Sequence, residues 1–216
     1  MSGWSSEHAG EPADDRASAV TPAVAEDVVV EGVAVAEDVA VEGVAVAEEV
    51  AVAEDVAVQA ARLHGVLLDR QQTVAVAESL TGGLVAAALT STAGASATFR
   101  GGLVVYATDL KASLAGVPDS LLDRVGAVDP QVALELARGA RSRLGASWGI
   151  GVTGVAGPDP QDERPVGSVF VAVVGPRDAG ETVSELELAG DRNSIRRQTV
   201  AHVVALLLNV TERMSI

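Results

Sequence analysis

From Gln59 onward the chain alternates between two hydrophobic rhythms. Thr73–Ala77, Gly102–Tyr106 and Trp148–Val152 are short, continuous apolar runs bounded by glycine or polar residues, the pattern of strands buried on both faces. Val166–Val174 and Thr182–Leu188 flank Pro176–Gly180 and predict a hairpin. Between these runs the spacing predicts helices over Gln59–Leu68, Leu84–Thr90, Asp119–Arg124 and Asn193–Glu212, with Ser91–Arg100 as a loop. Asp129-Pro130 reads as an N-cap followed by proline at the first helical position, opening an amphipathic helix to about Leu144. Strands alternating with helices and closed by one hairpin predict an α/β fold, a three-layer α/β/α domain around a mixed β-sheet.

Residues 1–58 break this pattern. Met1–Pro22 is rich in Ser, Ala, Glu and Pro, and an eleven-residue unit follows: Glu26–Ala36 and Glu37–Ala47 differ at one position, and Glu48–Val58 decays into the same letters. Its valines scatter around a helical wheel, and charge and glycine break the V-x-V doublets before a strand could lengthen. Two regions follow: a low-complexity, unstructured leader over 1–58 and a folded domain over 59–216. Charge separates them too. The leader holds fourteen acidic residues against one Arg, whereas the remainder holds sixteen acids and fourteen bases, so the net charge of −15 says little about what the domain binds.

Composition removes several function classes. With no cysteine there is no disulfide, no thiolate nucleophile and no Cys-ligated zinc, and His8, His64 and His202 lie too far apart in sequence to suggest a metal site. No Lys/Arg cluster with interleaved aromatics supports a nucleic-acid partner. No apolar run reaches spanning length and the amino terminus is acidic, so a cytoplasmic protein with no membrane partner is expected.

The candidate chemistry begins at Ala77-Glu78-Ser79-Leu80-Thr81-Gly82-Gly83, where a strand gives way to a helix. A serine there is either an ordinary turn residue or a nucleophile beside the unpartnered amides of a helix start. Of fifteen basic residues only Lys111 is a lysine, and Tyr106, the one tyrosine, stands five residues before it. Lysine can be desolvated to a neutral base and arginine cannot, so Lys111 is either a general base or a solvated lysine at a helix start. Ser79 would need such a base, and Ser–Lys pairs are one solution. Tyr106 could relay a proton, hold a substrate or simply pack. A second glycine turn, Thr153-Gly154-Val155-Ala156-Gly157-Pro158, offers further amides to an anion. Arg192, Arg196 and Arg197 open the last helix, where positive charge opposes the dipole; they imply a counter-anion or solvated surface charge.

With these pieces in order, the chain from about Gln59 resembles the carboxy-terminal domain family of CinA, the nicotinamide-mononucleotide (NMN) deamidases. The matching blocks are Ala77–Gly83, Gly94–Gly102, Tyr106 with Lys111, Gly126–Val128, Thr153–Pro158, Pro165–Val169 and Asp191–Arg196. The resemblance implies hydrolysis of NMN to nicotinate mononucleotide and ammonia, without metal or cofactor, by a serine nucleophile at Ser79 with Tyr106 and Lys111. It further implies an oxyanion held by amides near Gly82 and Gly83, and a substrate contacted by Thr81, Gly82, Gly83, Thr153, Gly154, Gly157, Arg192 and Arg196. The phosphate would rest on the second glycine turn or on Arg192 or Arg196. The expected partner is a pyridine nucleotide, and the expected assembly a homo-oligomer. The alternative is a non-catalytic nucleotide-sensing or protein-binding module linked to competence or DNA damage. Three departures stand out: Leu80 where the family usually has Cys, Asp129 where it has Ser, and an acidic Asp159–Arg164 where it is often glycine-rich. The valine-rich leader is not expected to be a version of the amino-terminal domain of full-length members.

Overall fold

A computed structural model describes residues 55–176 and 179–213. The expected leader over 1–58 therefore lies outside the described residues except for its last four positions.

Five strands form one mixed sheet in the order β2-β1-β3-β4-β5: β1 (Val74–Glu78), β2 (Phe99–Val104), β3 (Trp148–Gly154), β4 (Ser168–Val174) and β5 (Glu181–Glu187). β1 runs parallel to β2 and β3, and β4 and β5 continue antiparallel as the hairpin. The helices are α1 (55–69), α2 (Leu84–Thr90), α3 (Thr108–Ser113), α4 (Asp119–Val125), α5 (Pro130–Arg143) and α6 (Arg192–Arg213). Among the described residues none is long and apolar enough to cross a membrane.

Alternation along β1 decides the layers. Val74 and Val76 join Leu63, Leu89, Val203 and Leu207 from α1, α2 and α6 on one face, while Ala75 and Ala77 meet Val117, Leu121, Val132 and Leu136 on the other. The second face is lined by small residues because α5 lies very close. A Cβ at Gly149 or Gly151 would come within 2.0 Å of the carbonyl oxygens of Ala137 or Ala133. α5 starts as the sequence predicts, with the Asp129 carboxylate accepting from the Gln131 amide at 2.8 Å and Pro130 at the first helical position.

The structure differs from the sequence reading at four places. α1 begins at residue 55, so the last four positions of the expected unstructured leader are helical, with Val56 packed against the core. α3 lies in a stretch given no element, because six residues are too few for a readable helical period. β2 occupies Phe99–Val104, not Gly102–Tyr106, so Val105 and Tyr106 leave the sheet edge and turn toward α3. The expected loop after α2 is shortened by β2 and contains a single 3-10 turn, Ala95–Ala97.

The parallel strands β1, β2 and β3 all end at one edge of the sheet. From β1 the chain crosses to β2 on one side and later returns as β3 on the other. Such a reversal opens a crevice beyond the strand ends between β1 and β3, where open α/β sheets bind ligands.

Candidate active site

Ser79 is the first residue beyond β1 and is nearly buried. Its amide donates to the Val152 carbonyl on β3 at 3.0 Å, tying it to the crevice. The chain then turns through Gly82 and Gly83, both at positive φ (57° and 98°), a conformation that disfavours residues with a Cβ.

Lys111 reaches the same point from α3. Its side chain is 2% exposed, and Nζ donates to Ser79 Oγ at 3.2 Å, to the Val105 carbonyl at 3.0 Å and to the Tyr106 carbonyl at 3.2 Å. Burial pulls its pKa below the ordinary 10.5, against the opposing attraction of the Asp162 and Asp109 carboxylates. The lone lysine of the chain is thus an amine enclosed beside a hydroxyl.

The crevice is a small pocket of about 90 Å³ that opens to solvent at its mouth. Ser79, Leu80 and Lys111 line it together with Tyr106, Thr153, Gly154, Gly157 and Arg192, so the start of the serine turn and the second glycine turn, 74 residues apart, face one space. Thr153 is itself committed, its hydroxyl donating to the Ala127 carbonyl at 2.6 Å. Tyr106 is 56% exposed, and its hydroxyl accepts from the Arg192 guanidinium at 2.6 Å. Arg192 also donates to the Gly157 carbonyl at 2.7 Å. The phenol therefore sits with Arg192 at the mouth, while the backbone carbonyl of the same tyrosine receives Lys111.

Thr81, Gly82, Gly83 and Arg196 are placed outside the lining of this pocket. Thr81 is fully buried and donates to Glu78 at 2.6 Å. The Gly82 amide is spent on the Ser79 carbonyl at 3.0 Å, and the Val85 and Ala86 amides of α2 are spent on Glu78. The helix start expected to face a ligand is thus occupied from within. Arg196 donates to the Leu80 carbonyl at 3.0 Å and the Thr81 carbonyl at 2.8 Å, so its charge holds the serine turn.

Two acidic residues that carry no assigned role in the sequence also shape the site. Glu78 could have been noticed as a carboxylate closing an otherwise apolar buried strand. Asp162 gives no sequence signal: its carboxylate accepts from the Ala127 amide at 2.7 Å, 35 residues away, and fixes the acidic loop whose Asp159 and Gln161 reach the pocket.

A sequence profile of the CinA C-terminal domain matches residues 56–211. A CinA-like protein of Frankia casuarinae is 49% identical over 143 residues, covering 66% of this chain and 33% of that protein. One from Geobacter sulfurreducens is 48% identical over 135 residues, 62% of this chain and 32% of the relative. The chain thus spans about a third of the length of the curated relatives it matches. Among solved structures, the competence/damage inducible protein CihA of Agrobacterium tumefaciens aligns with a TM-score of 0.69 at 37% identity, covering 72% of this chain and 95% of that one. A CinA superfamily protein of Klebsiella pneumoniae aligns with a TM-score of 0.70 at 26% identity, covering 73% and 98%. With its α/β/α layers, its serine turn and a profile match over most of its length, the chain belongs to the CinA C-terminal domain family.

Proposed function

We propose that the pocket is an amidohydrolase site that converts NMN to nicotinate mononucleotide and ammonia. The observation that carries this reading is the buried Lys111 Nζ, 3.2 Å from Ser79 Oγ with its pKa lowered by burial. A neutral amine in that position takes the hydroxyl proton as Ser79 Oγ bonds to the carboxamide carbon. The resulting ammonium then gives a proton to the departing nitrogen, releasing ammonia and leaving an ester on Ser79. Water attacks the ester, Lys111 accepts one of its protons and returns it to Ser79 Oγ as the acid product leaves, and the product's remaining proton passes to solvent to give the carboxylate.

The oxyanion needs donors near Ser79. Since Glu78 and the Ser79 carbonyl occupy the Val85, Ala86 and Gly82 amides, we assign this role to the amide of Leu80, the residue after the nucleophile. The phosphate is assigned to Arg192, with the amides of Ala156 and Gly157 beside it. Among the described residues neither amide has an acceptor, whereas the Val155 amide donates to Ser168. Tyr106 shares the mouth with Arg192 and positions the ribose phosphate end.

Purified protein incubated with NMN tests the reading through ammonia release. Ser79→Ala should lose at least about 10³-fold in kcat with an unchanged melting temperature. Ammonia release from neither protein, with NMN binding retained, would instead favour a nucleotide-sensing role.

A further inference from the structure

Glu78 lies immediately before Ser79 and is fully buried, yet it does not line the pocket. Both carboxylate oxygens are engaged. One accepts from the Thr81 hydroxyl at 2.6 Å and the Val85 amide at 3.2 Å, and the other accepts from the Ala86 amide at 3.1 Å. These partners lie three, seven and eight residues ahead, so one side chain folds the whole serine turn back onto its own strand. α2 needs this, because its N-cap is Gly83, which has no side chain to offer.

The same residue reaches the base through its backbone. Its carbonyl accepts from the Val105 amide at 2.9 Å, and the Val105 carbonyl receives Lys111 Nζ at 3.0 Å. The carboxylate thus fixes the segment that follows the serine, and the main chain fixes the segment that cradles the lysine. Arg196 completes the hold from the opposite side, at the Leu80 and Thr81 carbonyls.

We infer that Glu78 is the positioning residue that sets the Ser79–Lys111 distance, acting without contact with substrate. It also directs the substrate's anion: with the first-turn amides of α2 taken by a carboxylate, the phosphate is turned toward Arg192 at the other side of the pocket. The acceptor count is the essential property. A glutamine keeps the length but turns an NH2 toward the Val85 or the Ala86 amide, itself a donor, and an aspartate keeps the charge but draws it back by one methylene.

The inference rests on the amidohydrolase reading where turnover is the readout, so it is tested with a second readout that does not need the substrate. Full-length Glu78→Gln, Glu78→Asp and Thr81→Val are compared with wild type for NMN turnover and for the rate at which a fluorophosphonate labels Ser79. All measurements are made well below each variant's melting temperature. Displacing reacting atoms by about 1 Å can cost on the order of 10²-fold in rate. Glu78→Gln should therefore lose about 10²-fold in both kcat and labelling, with KM within about threefold. Thr81→Val, which removes one of three donors and keeps the shape, should lose about three- to tenfold in both. Folded Glu78→Gln that labels within twofold of wild type would overturn the inference, as would a Thr81→Val protein with undiminished labelling. A wild type that labels at Ser79 but releases no ammonia from NMN would overturn the amidohydrolase reading while leaving the labelling comparison intact.

Discussion

Replacing Lys111 by arginine separates charge from proton transfer. If Lys111 serves as a cation, the guanidinium should substitute; if it serves as a base, the neutral fraction decides the rate. Arginine stays protonated under conditions where a buried lysine ammonium can give up its proton, so its neutral fraction at any working pH is far smaller than lysine's. Burial lowers the Lys111 pKa and so widens the contrast. Geometry adds to this. Nζ is enclosed by Ser79 Oγ and the Val105 and Tyr106 carbonyls at 3.0–3.2 Å, a fit for a compact ammonium or amine and a tight one for a planar fork. Lys111→Arg should therefore lose at least about 10²-fold in kcat for ammonia release, measured by a coupled glutamate dehydrogenase assay. NMN affinity by calorimetry should change by less than about threefold, because Arg192 is untouched. In the wild type, kcat/KM should rise with pH as Lys111 deprotonates, with a midpoint below 10.5. An arginine protein within tenfold of wild-type turnover, or a limb that stays in place when Lys111 is changed, would refute the base assignment.

Asp109 is exposed and its charge favours the Lys111 ammonium, so Asp109→Asn should move the ascending limb of the kcat/KM profile to lower pH, by a small step because solvent screens the charge. Arg192→Ala should raise KM for NMN about 10- to 100-fold with kcat within about threefold, the scale of losing a hydrogen bond to a charged group; a kcat defect with normal KM would place Arg192 in the chemistry instead. Gly151→Ala would put a methyl 2.0 Å from the Ala133 carbonyl oxygen and 2.5 Å from the Ala137 amide nitrogen, so α5 must lift from the sheet. A loss of about 1–3 kcal/mol, several degrees in melting temperature, is expected by thermal unfolding.

The elements that could be read from the sequence are those fixed by local physics. Asp129 and Pro130 start α5 because a carboxylate beside free amides and a preset φ act within one turn. The buried strands β1, β3 and β4 are legible because apolar runs of that length have few other homes, and the turn at Gly82 and Gly83 because few residues other than glycine adopt its φ readily. Ser79 and Lys111 stood out for a chemical reason, a strand-to-helix turn and a lone lysine among arginines, and the sequence paired them only as a possibility.

The tertiary structure decided what depends on distance across the chain. It set α3, too short for a period of its own, so that Lys111 is buried against a serine 32 residues away. It committed Arg196 to two backbone carbonyls and Glu78 to the first amides of α2, so that residues read as ligand contacts, or not read at all, hold the serine turn. It left Arg192, four residues before Arg196 on the same helix, at the pocket mouth with Tyr106. Sequence states which side chains can bear a charge or a proton. Whether that charge meets a carbonyl, a carboxylate or open pocket depends on which strand ends the sheet brings side by side, and that depends on packing between residues far apart in the chain.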